Sequence, residues 1–98
     1  MKSITVQELA ALPSPVIIDV REPDEFATGH APAAVNIPLS QLGGRLDEVP
    51  TDQPVHLICQ VGGRSAQATE ALASRGIDAT NVTGGTTAWI SAALPVDR

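Results

Sequence analysis

The 98-residue chain has no tyrosine, only one phenylalanine, one tryptophan and one cysteine, and six basic residues against eleven acidic ones. With Phe26 and Trp89 as the sole aromatics, a core has to be assembled from Val, Ile, Leu and Ala. A lone cysteine, Cys59, excludes an internal disulfide, so nothing in the chain asks for an oxidising compartment. The formal net charge of -5 argues against nucleic acid or an anionic membrane as the main partner. No apolar run approaches a membrane span, and Met1-Lys2-Ser3-Ile4-Thr5 lacks the apolar core of a secretion signal. These shortages predict one domain over residues 1–98, cytoplasmic by default, with no nucleic-acid or membrane partner.

What is present alternates in type along the chain. Thr5-Val6-Gln7-Glu8 fits a capping box that opens a short helix through Leu12, stopped by Pro13 and Pro15. Val16-Ile17-Ile18-Asp19-Val20 is the near-continuous β-branched run of a strand covered on both faces. Glu22 to Phe26 places a proline in a first helical turn with acids near its positive end, and Gly29-His30-Ala31-Pro32 stops it. Val35-Asn36-Ile37 is a short strand closed by Pro38, and Ser40 to Glu48 is helical in part, weakened by Gly43 and Gly44. Ala79 to Val82 forms another short strand, Gly84-Gly85 a turn, and Thr86 caps a last helix carrying Trp89 and Ile90. Strands alternating with helices predict an α/β fold, a central mostly parallel sheet flanked by helices on both faces.

Between Pro54 and Gly76 lies the stretch with chemical content. Val55-His56-Leu57-Ile58 reads as a buried strand ending on Cys59, followed by the loop Gln60-Val61-Gly62-Gly63-Arg64 and a helix from Ser65 to Arg75. Ala68, Ala71, Leu72 and Arg75 recur three and four apart on one side of that helix, with Gln67, Glu70 and Ser74 opposite. Gly76 suits the left-handed position after its end, and Ile77 can fold back onto Leu72. The helix start faces the cysteine with unpaired N–H groups and the positive end of the macrodipole. Glycines at 62 and 63 would let successive N–H groups converge as an anion nest. The dipole alone favours a thiolate by roughly 0.3–1 kcal/mol, up to ~2 if partly buried, against ~1.4 kcal/mol per pKa unit. With the amides and Arg64 added, a thiol pKa a unit or two below ~8.5 follows.

Each candidate has a plainer alternative. Free cysteine is among the most buried residue types, so Cys59 can be an inert core thiol; its place at the carboxyl end of a strand, before a glycine-rich loop and a helix, is where open α/β sheets put their chemistry. Arg64 either contacts an anionic substrate or is drawn to an acid such as Glu25, fixing the loop from behind. Arg21 either lines the mouth of the site or pairs with Glu22, Asp24 or Glu25, and Asp19 anchors the turn after its strand. His30 and His56 lack metal-ligand spacing with Cys59 and are read as structural, as is Trp89, an anchor for the last helix.

The run Asp19-Val20-Arg21-Glu22-Pro23-Asp24-Glu25-Phe26, then Gly29-His30-Ala31-Pro32, Asn36-Ile37-Pro38, Cys59 through Arg64-Ser65, Gly84-Gly85, Trp89 and Leu94-Pro95-Val96, resembles a single-domain rhodanese over nearly the whole chain. The resemblance implies a sulfurtransferase working by double displacement. Cys59 would take the outer sulfur of a donor such as thiosulfate, hold it as a persulfide, and yield it to a thiophilic acceptor, either a small molecule or a partner protein. A rhodanese-fold binding or sulfur-delivery module is the alternative it leaves. Gln60, Val61, Gly62, Gly63, Arg64 and Ser65 would form the substrate cradle. No metal or organic cofactor is implied, since sulfur is both nucleophile and carrier. Related phosphatases place one more residue between cysteine and arginine than the four found here, and the shorter loop suits a single sulfur. Two departures stand out: Gln60 follows the cysteine where many members carry a basic residue, and Ala33 replaces a common glycine.

Overall fold

The computed structural model covers residues 1–98. In chain order its elements are β1 (Lys2–Ile4), α1 (Val6–Ala10), β2 (Val16–Asp19), α2 (Pro23–Ala27), β3 (Val35–Asn36), α3 (Leu39–Leu42), a 3₁₀ turn at Leu46–Glu48, β4 (Val55–Ile58), α4 (Gly63–Ala73), β5 (Ala79–Val82) and α5 (Gly85–Ser91). The five strands form one sheet in the order β1-β5-β4-β2-β3, and every pairing is parallel. All carboxyl ends of the strands therefore lie along one edge, and the Cys59 loop leaves from the central strand β4.

Period-two alternation divides the core into two layers. Ile18, Val55, Leu57 and Ala79 pack with Leu42 of α3 and Ala68 and Leu72 of α4. Ile17, Ile58 and Val82 face the other way, onto Val6 and Leu9 of α1 and Trp89 of α5. Helices thus cover both faces, and β4 is buried along its whole length, as its apolar run predicts. Each fully buried Leu or Ile contributes about 1.5–3 kcal/mol relative to exposure, so small elements suffice when both faces are covered.

Local chemistry sets the boundaries. The Thr5 hydroxyl accepts from the Glu8 N–H at 3.1 Å while the Glu8 carboxylate accepts from the Thr5 N–H at 2.9 Å, the expected capping box. That helix ends at Ala10, before the Leu12 expected from sequence. The expected turn after α4 is present: Gly76 is left-handed at φ 81°, the Ile77 N–H donates to the Leu72 carbonyl at 3.2 Å, and Ile77 packs on the core beside Leu72. Arg75 lies beyond the last helical turn, in the exposed connection.

Three features depart from the sequence reading. Lys2–Ile4 is an edge strand on β5, invisible to hydropathy because two of its three residues are exposed and polar. The buried face of α4 is Ser65, Ala68, Thr69 and Leu72, whereas Ala71 and Arg75 are exposed. The hydroxyls of Ser65 and Thr69 replace methyls on the core side, and Thr69 satisfies its own by donating to the Ser65 carbonyl at 2.7 Å. Finally, Thr86 is not the cap of α5; that position is Gly84, and Thr86 is buried inside the helix start.

Ala33 occupies the left-handed region at φ 68°, where a Cβ costs about 1–2 kcal/mol. The substitution Ala33→Gly is expected to raise stability by about 0.5–1 kcal/mol, strain relief outweighing the added freedom of the unfolded chain. Chemical denaturation at unchanged m-value measures it, and a destabilised variant would contradict the strain.

Candidate active site

β4 ends at Ile58, which is in register with Asp19 at the end of β2, so Cys59 emerges at the carboxyl edge between two neighbouring strands. Four residues later the chain is already helical, and the reversal is made at Gly62, left-handed at φ 110°. Gly63 is the first residue of α4 and not a second left-handed glycine, so the nest expected from Gly62 and Gly63 together rests on Gly62 alone. Sγ of Cys59 accepts from the N–H of Gly62 at 3.1 Å and of Ser65 at 3.3 Å, and the Ser65 hydroxyl lies 3.2 Å away. Cys59 is 1% exposed and Ser65 fully buried, so these contacts are made out of water, where a dipole acts on a charge more strongly.

Two effects on the thiol oppose each other. Burial pushes its pKa up, whereas the Ser65 hydroxyl and the N–H groups of Ser65, Gly62 and Val61 pull it down, and the net result is a thiol more acidic than usual. Both readings left open for Cys59 are therefore partly realised: the side chain is buried among core residues, and amides aim at its sulfur.

The amides point inward because the carbonyls are held outward. The carbonyl of Cys59 accepts from the Thr86 N–H at 2.8 Å and the Thr86 hydroxyl at 3.0 Å, and that of Gln60 accepts from the Thr87 N–H at 3.0 Å. The start of α5 thus serves as the hydrogen-bond partner of the loop backbone. It comes so close that a Cβ on Gly85 would lie 2.5 Å from the Cys59 carbonyl oxygen and 2.6 Å from that of Gln60. Gly85 is also left-handed, at φ 59°, so two independent constraints require glycine there.

Arginine placement separates the alternatives raised by the sequence. The Arg64 guanidinium grips Glu25 of α2 at 2.7 and 2.9 Å, fork to fork. That pairing, with the Glu22 N–H, holds the Glu25 carboxyl down to about 2. Arg21 is 1% exposed and pairs with the fully buried Asp19, not with Glu22, Asp24 or Glu25. Its Nε and Nη2 donate to the Asp19 carboxylate at 3.0 and 2.9 Å, and Nη2 donates to the Gly29 carbonyl at 2.9 Å. Its Nη1 reaches the Gln60 side-chain oxygen at 3.2 Å, while the Gln60 amide donates to the Thr87 hydroxyl at 2.8 Å. Gln60 therefore straps the loop between β2 and α5, and Val61 is left exposed at the tip.

Asn81, one residue from the end of β5, donates to the Gly62 carbonyl at 3.5 Å and accepts from the Ser65 hydroxyl at 2.6 Å. Asn81, Thr86, Thr87 and Gly85 join the site although sequence reasoning does not place them there; a polar residue inside an otherwise buried strand is the available signal for Asn81. His30 hydrogen-bonds the Phe26 carbonyl and stacks on the Phe26 ring, and His56 bonds the Val16 carbonyl, both away from the sulfur. No group of three or more His, Cys, Asp and Glu side chains is placed to hold a metal. The widest surface groove lies at the opposite end of the sheet, beside Lys2, Gly76 and Asp78, and shares no residue with the cysteine loop.

A family model for the rhodanese-like domain matches residues 5–92. The chain is 45% identical over 91 residues to the uncharacterised protein YqhL of Bacillus subtilis, covering 91% of this chain and 72% of that one. It is 35% identical to a sulfurtransferase of Allochromatium vinosum, covering 92% of this chain and 85% of the other. A crystal structure of a rhodanese-related protein from Thermoplasma volcanium superposes with a TM-score of 0.94 at 34% identity, over 99% of this chain and 98% of that one.

Alkylation of Cys59 is expected to follow an apparent pKa below the ~8.5 of a free thiol, losing rate only as pH falls below that lowered value; a value at or above ~8.5 would refute the activation. Gly85→Ala is expected to cost about 2–4 kcal/mol and to push the alkylation pKa upward, because the loop carbonyls must give way. Gly63→Ala, at a helical position with nothing within 4 Å of its Cβ, is expected to leave the alkylation pKa within experimental error and to raise stability by about 0.4–1 kcal/mol. Thermal melting and the alkylation profile of the two variants give the comparison.

Proposed function

The chain belongs to the rhodanese-like family, and from that membership we propose that it is a sulfurtransferase that carries sulfane sulfur as a persulfide on Cys59. The single observation that supports this best is the pair of amides, from Gly62 and Ser65, directed at a buried sulfur. In the first step the Cys59 thiolate attacks the outer sulfur of a donor such as thiosulfate. The Sγ–S bond forms, the donor's S–S bond breaks, and its electron pair leaves with sulfite. In the second step an acceptor such as cyanide or a thiolate attacks the terminal sulfur, and the electron pair of the persulfide bond returns to Cys59. Charge balances in both steps and no outside oxidant is needed. Gln60, Val61, Gly62, Gly63, Arg64 and Ser65 form the cradle in this reading, the Gly62 and Ser65 amides stabilising the anion and the Arg64–Glu25 pair holding the loop in shape.

A second reading, delivery to or from a protein partner, is favoured by the electrostatics. Arg64 and Arg21 are both committed to carboxylates, and the residue after the cysteine is a neutral glutamine tied at both ends. A dianion such as thiosulfate finds amide dipoles there and no unpaired guanidinium from the loop, whereas a persulfide presented by another protein needs none. The cradle and the covalent intermediate are the same in both readings.

Incubation with thiosulfate, or with a small persulfide as donor, is expected to add the mass of one sulfur to the intact protein, to be reversed by cyanide and abolished in Cys59→Ser. No adduct with either donor would overturn the catalytic assignment. An adduct from the persulfide alone would favour the delivery reading.

A further inference from the structure

The Ser65 hydroxyl has one proton and two claimants. It lies 2.6 Å from the Asn81 side-chain oxygen and 3.2 Å from Cys59 Sγ, and all three side chains are buried. When Cys59 is a thiol the bookkeeping closes in one direction: S–H donates to the Ser65 oxygen, and the Ser65 O–H donates to Asn81. When Cys59 is a thiolate it can only accept, so the Ser65 proton must turn to sulfur. The Asn81 oxygen then faces a hydroxyl oxygen with no proton between them, two buried acceptors at 2.6 Å. An asparagine relieves this by turning its amide over, placing Nδ2 where Oδ1 stood and donating to Ser65. The turn exchanges the long 3.5 Å donation to the Gly62 carbonyl for an oxygen facing that carbonyl, a looser acceptor–acceptor contact than the one at 2.6 Å that it removes.

We infer that Asn81 is a positioning residue whose amide reverses between two orientations, accepting from Ser65 when Cys59 is protonated and donating to Ser65 when Cys59 is an anion. Few side chains can both accept and donate at one site without moving the backbone. An ionised aspartate accepts alone, and an aliphatic residue does neither. β5 places Asn81 opposite Leu57 in the register with β4, two residues before Cys59, so the relay is fixed by the sheet itself.

The charged groups around this chain of contacts are already occupied. Arg64 in α4 holds Glu25 of α2, and Arg21 after β2 holds Asp19. α5 contributes the uncharged Thr86 and Thr87, and His56 of β4 bonds the Val16 carbonyl. The hydroxyl and the amides are therefore what answers a change of charge on sulfur, and Asn81 is the acceptor from which the hydroxyl must be released to do so.

This inference rests on Cys59 being the nucleophile, but its test needs no sulfur donor. The apparent pKa of Cys59 is measured, by iodoacetamide alkylation rate and by thiolate absorbance, in the full chain and in Asn81→Val, Ser65→Ala and the double variant. Asn81→Val leaves the sulfur as the only acceptor for the Ser65 proton and is expected to lower the pKa by about one unit, up to ~10-fold faster alkylation below the pKa, equivalent to about 1.4 kcal/mol. In the Ser65→Ala background the same substitution is expected to change the rate less than 2-fold. An unshifted pKa in Asn81→Val would overturn the proposal, as would an equal shift with and without Ser65, which would mean that Asn81 acts on the loop backbone. Asn81→Ala, in the same pair of backgrounds, replaces Asn81→Val if melting shows that the larger side chain unfolds the sheet. Failure of persulfide formation with a lowered Cys59 pKa would count against the sulfur-transfer reading and leave the relay standing.

Discussion

Two carbonyls, those of Cys59 and Gln60, have to face away from the sulfur for any amide to face it, and the start of α5 is what keeps them there. A loop of this length between a strand and a helix has several available shapes, and most would turn an oxygen toward the thiol and repel its anion. The N–H groups of Thr86 and Thr87 are themselves unpaired donors at a helix start, so each bond satisfies an orphan on both sides. The close approach is possible only with a bare backbone at Gly85, where the next atom would collide with both carbonyl oxygens. Shape and charge at the cysteine are thus consequences of a packing contact made by the far end of the chain.

The two arginines complete the scaffold without supplying net charge. Arg21 and Asp19 are both buried, and such a pair gives little net stability over an apolar replacement, although removing one partner costs about 3–5 kcal/mol. Its effect lies in connection: one guanidinium joins the end of β2, the carbonyl of Gly29 and the Gln60 side chain. Arg64 and Glu25, half exposed, contribute less energy but tie the helix after the loop to α2. Positive potential at the sulfur therefore comes mainly from main-chain dipoles, which are fixed in direction and fit one atom better than a spread-out anion.

Several parts of this arrangement are legible in the amino-acid sequence. The apolar run 55–58, the capping box at Thr5, the turn at Gly76 and the alternation of strands and helices follow from local rules, and the motifs spaced from Asp19 to Val96 carried the family. Local rules fail where a polar side chain does a core residue's work. Ser65 and Thr69 displaced Ala71 and Arg75 from the buried face of α4 because their hydroxyls are satisfied internally. Lys2–Ile4 carries no strand signal because it is an edge whose partner lies at the other end of the chain.

Which thiol is available, that it ends a buried strand, and that a glycine follows where the backbone must reverse are all written in the local order of residues, since each of these depends on residues a few positions apart. The packing of distant segments selects Glu25 for Arg64 and Asp19 for Arg21, sets α5 as the anchor of the loop, and brings Asn81 to the Ser65 hydroxyl. Those choices join groups up to 39 residues apart, and in a chain with eleven acids and five arginines, charge and composition permit many partners. Which one wins is a matter of burial, because a charge or hydroxyl sealed from water must bond to whatever the packed sheet brings within 3 Å.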